Sequence, residues 1–107
     1  DQLLVNVSAD IGVFTPNRDG INDTVTIRYD VTNVAPALEV EVRIFDLSGR
    51  LVSTHLEERS SGRYRYAWDG RNQAGELVPP GNYVYAVSLK VPGSADAESA
   101  GVVGVAY

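Results

Sequence analysis

A chain of 107 residues supports a single domain with one core. Apolar content of 44% beside 21% charged residues excludes wholesale disorder. A formal charge of −5, with nine Lys and Arg scattered among fourteen acids, lacks the basic run that nucleic-acid binding calls for.

The absence of cysteine rules out disulfides and thiolate metal sites. No apolar stretch approaches the roughly 20 residues needed to span a bilayer, so no membrane insertion is expected. The chain starts at Asp1 rather than Met and carries no signal-peptide pattern, which reads as a mature or excised piece of something longer and not as a sign of a cytoplasmic address.

Period-2 alternation dominates from the start. Leu3, Val5 and Val7 alternate with Leu4, Asn6 and Ser8 as a first strand. The polar loop FTPNRDGINDT follows, and Val25, Ile27, Tyr29 and Val31 then alternate with Thr24, Thr26, Arg28 and Asp30. Leu38, Val40, Val42 and Ile44 alternate with Glu39, Glu41 and Arg43, a strand with one dry and one wet face. The loop DLSGR joins it to Leu51, Val52, Ser53 and Thr54 as a hairpin.

After the turn at Ser60, Ser61 and Gly62, the residues Tyr64, Tyr66 and Trp68 share a face opposite Arg63 and Arg65. Two polar loops rich in Asp, Asn, Gly and Pro lead to Tyr83, Tyr85, Val87, Leu89 and Val91 on a long strand. Residues 101–107 form a last strand with Val103, Val105 and Tyr107 facing inward.

Seven short strands with turn signals between them predict an all-β, antiparallel immunoglobulin-like or fibronectin III-like sandwich spanning residues 1–107. Its core is expected to contain Trp68, Tyr66, Tyr83, Tyr85, Val42, Ile44 and Ile27. Trp68 is the expected anchor, because sandwiches of this type bury an indole and this one has no disulfide. Tyr83 or Tyr85 is expected to tie a loop to the sandwich through its hydroxyl.

The blocks FTPNRDGINDTVTI, VRIFDLSGRLV and WDGRNQAGELVPPGNYVYAV, in this order, resemble the Ig-like module of the bacterial flagellar hook-capping protein, the FlgD Ig-like family. They are equally similar to gliding-motility-associated C-terminal domains. The resemblance covers roughly residues 13 to 91 and implies a non-catalytic accessory domain, often the C-terminal module, of an exported bacterial protein. It further implies an extracellular or cell-surface location. The implied role is surface attachment, secretion or sorting, or assembly, with parent-chain domains and secretion or surface-assembly components as protein partners. A subunit of an extracellular filament or appendage, or a carbohydrate- or peptide-recognition module, is the alternative.

The loop before the second expected strand admits two readings. Set against an EF-hand-like loop, Asn17, Asp19 and Asp23 take the third, fifth and ninth positions, with the carbonyl of Ile21 at the seventh. With only two carboxylates, calcium affinity would fall to about 10⁻⁴ to 10⁻³ M. In the other reading these side chains form Asx turns and Gly20 supplies a positive φ, so no cofactor is required.

His55, the only histidine, is expected as a solvated residue at the end of a strand, too isolated for a catalytic triad or zinc. Asp46 and Asp69, which could be taken as a glycosidase pair, are expected to accept backbone N–H bonds in turns. Val102, Val103 and Val105 lie on an uncharged terminal strand. It either pairs within the fold or offers an edge for assembly and oligomerisation.

Overall fold

Alternating apolar side chains become two facing sheets in the computed structural model, which describes residues 3–17, 20 and 22–107. In chain order the strands are β1 (Leu4–Ala9), β2 (Val13–Phe14), β3 (Val25–Val31), β4 (Leu38–Asp46), β5 (Leu51–Arg59), β6 (Gly62–Trp68), β7 (Gly81–Leu89) and β8 (Ala97–Val105). One sheet has the order β1-β3-β6 and the other β2-β8-β7-β4-β5. The fold is all-β and immunoglobulin-like, and no helix occurs among the described residues.

The inward residues are those that alternation selects. Val25, Ile27, Tyr29 and Val31 on β3 face Val40, Val42 and Ile44 on β4 and Tyr83, Tyr85, Val87 and Leu89 on β7, all buried. Trp68, 1% exposed, closes one end of this core between Phe14 and Tyr83, with edge-on ring contacts of 5.5 Å to each. Between the described strands the chain crosses from sheet to sheet five times, and two of these crossings follow β3 and β5. These two crossings are clasped where the Ser61 amide donates to the Val34 carbonyl at 3.0 Å and the Ser61 hydroxyl accepts from the Val34 amide at 2.9 Å.

Several expectations change. An eighth strand, β2, pairs in parallel with β8 through Val13↔Gly104 and Phe14↔Val105, so the sandwich is not wholly antiparallel. Two residues are too few to show a period. β1 carries a bulge between Val5 and Ser8, with Asn6 at φ 56°, so Leu4 packs on the core where the simple alternation placed Val5.

β5 runs on to Arg59 because β4 pairs with it from Leu38 onward, overriding the weak strand propensity of His-Leu-Glu-Glu-Arg. His55 therefore lies mid-strand, not at a strand end. β8 begins at Ala97, and Tyr107, 57% exposed, turns out of the sandwich with its hydroxyl donating to the Val78 carbonyl at 2.6 Å. Tyr66 is half-buried at the rim and not in the centre of the core.

Trp68→Ala is expected to lower unfolding free energy by about 3–5 kcal/mol in urea denaturation, with Trp68→Phe losing less. A loss within about 0.5 kcal/mol would be the response of a surface residue.

Candidate functional site

The three loop-bearing blocks of sequence meet at one end of the sandwich. Gly70 sits at φ 78° after β6, and a side chain there would press on Pro16, with Cβ only 2.8 Å from its Cγ. The Trp68 indole donates to the Arg71 carbonyl at 3.0 Å, so the same residue fills the core and fixes the loop above it. Tyr83 makes the expected loop tie: its hydroxyl donates to the Pro79 carbonyl at 2.6 Å. Burial pushes the Tyr83 phenol up, with Tyr107 and Asp46 nearby adding to the shift. Tyr85 serves differently, lying across its cross-strand partner Gly101, where a Cβ would collide with the Tyr85 hydroxyl.

Asp46 and Asp69 are turn-formers. Asp46 Oδ1 accepts from the Ser48 hydroxyl at 2.6 Å, the Ser48 amide at 2.9 Å and the Arg50 amide at 3.0 Å. The Ser48 hydroxyl bond, followed by the Arg50 amide, holds this carboxyl below the ordinary carboxylate value. Asp69 Oδ1 accepts from the Arg71 amide at 3.2 Å, and Asn72 Oδ1 from the Ala74 and Glu76 amides at 3.0 Å each. A groove of about 460 Å³ runs between these turns, lined by Asp46, Arg50, Asn72, Glu76, Val78 and Tyr83 among others. The carboxylates a glycosidase would need are spent on loop amides and arginines.

Of the proposed calcium set, Asn17 and Asp23 are described; Asp19 and Ile21 lie outside the described residues. Asp23 Oδ2 accepts from the Gly20 amide at 2.8 Å, reaching back three residues to brace the loop rather than forward as an Asx turn does. Its Oδ1 is buried without a hydrogen-bond partner and lies by a groove shared with Pro16, Thr24, Asp69 and Arg71. Among the described residues no three His or carboxylate groups gather around one point. His55 stacks on Tyr66 with ring centres 4.6 Å apart and contacts Glu57 at 3.1 Å. With Trp68, Tyr83 and Tyr85 buried and Tyr64 and Tyr66 half-buried, the aromatics form core and rim, not a ligand platform.

The terminal strand is paired at home. β8 runs antiparallel to β7 from Ala97↔Leu89 to Val105↔Gly81. Val103 and Val105 therefore offer no side chain at an assembly edge: both lie on the inward phase of β8 and are buried in the core, Val103 directly opposite the buried Tyr83. Val102, 59% exposed, is the outward member of the three.

A family model described as the FlgD Ig-like domain matches residues 17–93, most of the chain. The chain belongs to the FlgD Ig-like domain family. The basal-body rod modification protein FlgD of Salmonella typhimurium is 33% identical over 72 residues, covering 66% of this chain and 31% of that protein; its Salmonella typhi counterpart matches equally. The chain thus spans about a third of the length of these curated relatives. Among solved structures, dimeric latent PorU from Porphyromonas gingivalis superposes with a TM-score of 0.71 at 24% identity, over 92% of this chain and 9% of that one. FlgD from P. aeruginosa gives 0.59 at 22% identity, over 73% and 56%. These likenesses agree with the family's fold, and the family is non-enzymatic.

The family's three blocks are thus mutual supports at one pole of the sandwich. One cluster has no signature in local sequence. Arg28, Arg63 and Arg65, dispersed in sequence, come together on the outer face of β3 and β6. Their signal was present as outward positions of two alternating strands, visible only once β3 and β6 are known to be neighbours.

The folded-state value of Asp46 lies below 3.8, so its contribution to stability is fully present above 3.8 and is lost as pH falls through the lower folded value. Asp46→Asn is expected to be less stable than the parent by a constant margin near neutral pH. In urea titrations at falling pH, that margin should shrink below pH 3.8.

Proposed function

We propose that this domain is an accessory binding module of an exported bacterial protein, working at the cell exterior in attachment, sorting or assembly. The observation that carries this reading is how the polar side chains of the family blocks are used. Asp46, Asp69, Asn72 and Asp23 each accept loop amides, leaving rigid loops and exposed sheet surface instead of a reaction centre. The family supports the same direction, since its Salmonella members are basal-body rod modification proteins. Assembly through a donated terminal strand is the weaker version, because β8 already places Val103 and Val105 in the core.

The test is a fusion of this chain to an exported reporter in a bacterium that makes the parent protein. Retention of the reporter at the surface or in an assembled structure is expected. Release into the medium at the level of the reporter alone would overturn the reading.

Calcium in the Asn17–Asp23 stretch belongs to the same proposal as a weak structural ion. Its support is the partnerless Asp23 Oδ1, which a hard cation would satisfy. At calcium about 100 times Kd, roughly 2.7 kcal/mol of added stability should raise the melting midpoint by about 10 °C, and Asp23→Ala should abolish the shift. An unchanged midpoint at about 100 mM calcium, roughly 100 times the upper end of the expected Kd range, removes the ion and leaves the accessory role standing.

A further inference from the structure

β6 is the rim of its sheet: β3 pairs along one side from Val25↔Trp68 to Val31↔Gly62, and no strand among the described residues lies on the other. Eight of the nine basic residues are described. Arg43, Arg50, Arg59, Arg71 and Lys90 each have a carboxylate at 3.0 to 3.9 Å. Arg28, Arg63 and Arg65 have none among the described residues, and these three share one face. Arg28 stands directly opposite Arg65, a like-charge cross-strand pair that costs stability when nothing neutralises it.

Asp30 lies opposite Arg63, but its Oδ2 accepts from the Asn6 amide at 2.8 Å and it makes no ion pair with the arginine. Arg59 and Tyr64 complete a shallow groove of about 540 Å³, with the Arg59 guanidinium 4.6 Å from the Tyr64 ring centre. Glu57 on the neighbouring strand is occupied by His55 and Arg59. In a chain of net charge −5 this is a local concentration of unneutralised positive charge along an open backbone edge.

We propose that the free edge of β6 receives an extended acidic segment of a partner protein as an added strand. Main-chain hydrogen bonds to β6 would supply affinity. Alternate Asp or Glu side chains of the incoming strand would fall on the face of Arg63 and Arg65, with Arg28 one strand further in. The proposal rests on the accessory binding role above and gives its partner a chemistry. A second copy of this chain docking β6 to β6 would set arginines against arginines, which disfavours that occupant.

The probe is a synthetic peptide of about ten residues alternating Glu and Thr, titrated into the intact chain by calorimetry at low salt. Binding is expected, weakening at least tenfold in R63E/R65E and largely restored in R63K/R65K. Circular dichroism and urea midpoints would confirm that both variants fold. The same peptide N-methylated at alternate residues on the pairing side should lose binding, because it keeps the charge and removes the donors.

Equal binding of the methylated peptide, equal binding by R63E/R65E, or no binding of the parent peptide would each overturn the proposal. In the last case the arginines serve only to guard the edge. Tighter binding of dextran sulfate than of the peptide would overturn the peptide occupant in favour of a general polyanion surface. The reporter fusion is read separately: release of the unmutated fusion defeats the accessory role, whereas the peptide titration speaks for the β6 edge alone.

Discussion

The indole of Trp68 is the constraint on which the rest of the molecule hangs. It is buried between Phe14 and Tyr83, and its one polar atom is satisfied by the Arg71 carbonyl. A buried indole needs both a large dry pocket and a partner for its N–H. Here the first comes from both sheets and the second from the loop that follows β6. Loop geometry and core packing are therefore coupled: displacing the loop strands a buried donor, and opening the core frees the loop. In a sandwich without disulfides this coupling does the work that a covalent cross-link does in other immunoglobulin-like domains.

The outer face of the larger sheet shows a second way in which polar groups are made to fit. β7 is central and buried on both faces, so Ala86 and Ser88 are covered along with the core-facing residues. Ser88 donates to Glu98 at 2.7 Å, and Arg43 reaches the same carboxylate at 3.0 Å while also contacting Glu41 at 3.4 Å. Lys90 links Glu41 to Asp96 at 3.5 and 3.1 Å. These exposed pairs add little stability individually. Their larger effect is to neutralise this surface locally, which leaves Arg28, Arg63 and Arg65 as the unmatched charges on the other sheet.

The sandwich is legible because its strands are long enough to show their period: β3, β4 and β7 each carry at least three inward apolar residues, and in each the apolar alternation coincides with the buried face. Features decided by neighbours were not legible. Val13 and Phe14 form a strand only because β8 lies beside them. His-Leu-Glu-Glu-Arg is extended only because β4 pairs with it, and Asn6 inverts the phase of β1 through one left-handed residue. The turn roles of Asp46 and Asp69 followed from local chemistry, since Asx turns close over two to four residues. The arginine face could not follow from local chemistry, because Arg28 and Arg65 become neighbours only through strand pairing.

The bulge at Asn6 has a bearing on polymer growth. β1 forms the rim of the smaller sheet opposite β6, and there the left-handed Asn6 breaks the ladder register. A kinked rim is a poor template, whereas the straight one remains open to a newcomer. Such asymmetry makes the sheet monovalent: a strand captured on one flank cannot be matched by propagation from the other. Contacts of this kind end in a closed, stoichiometric complex and not in a fibre.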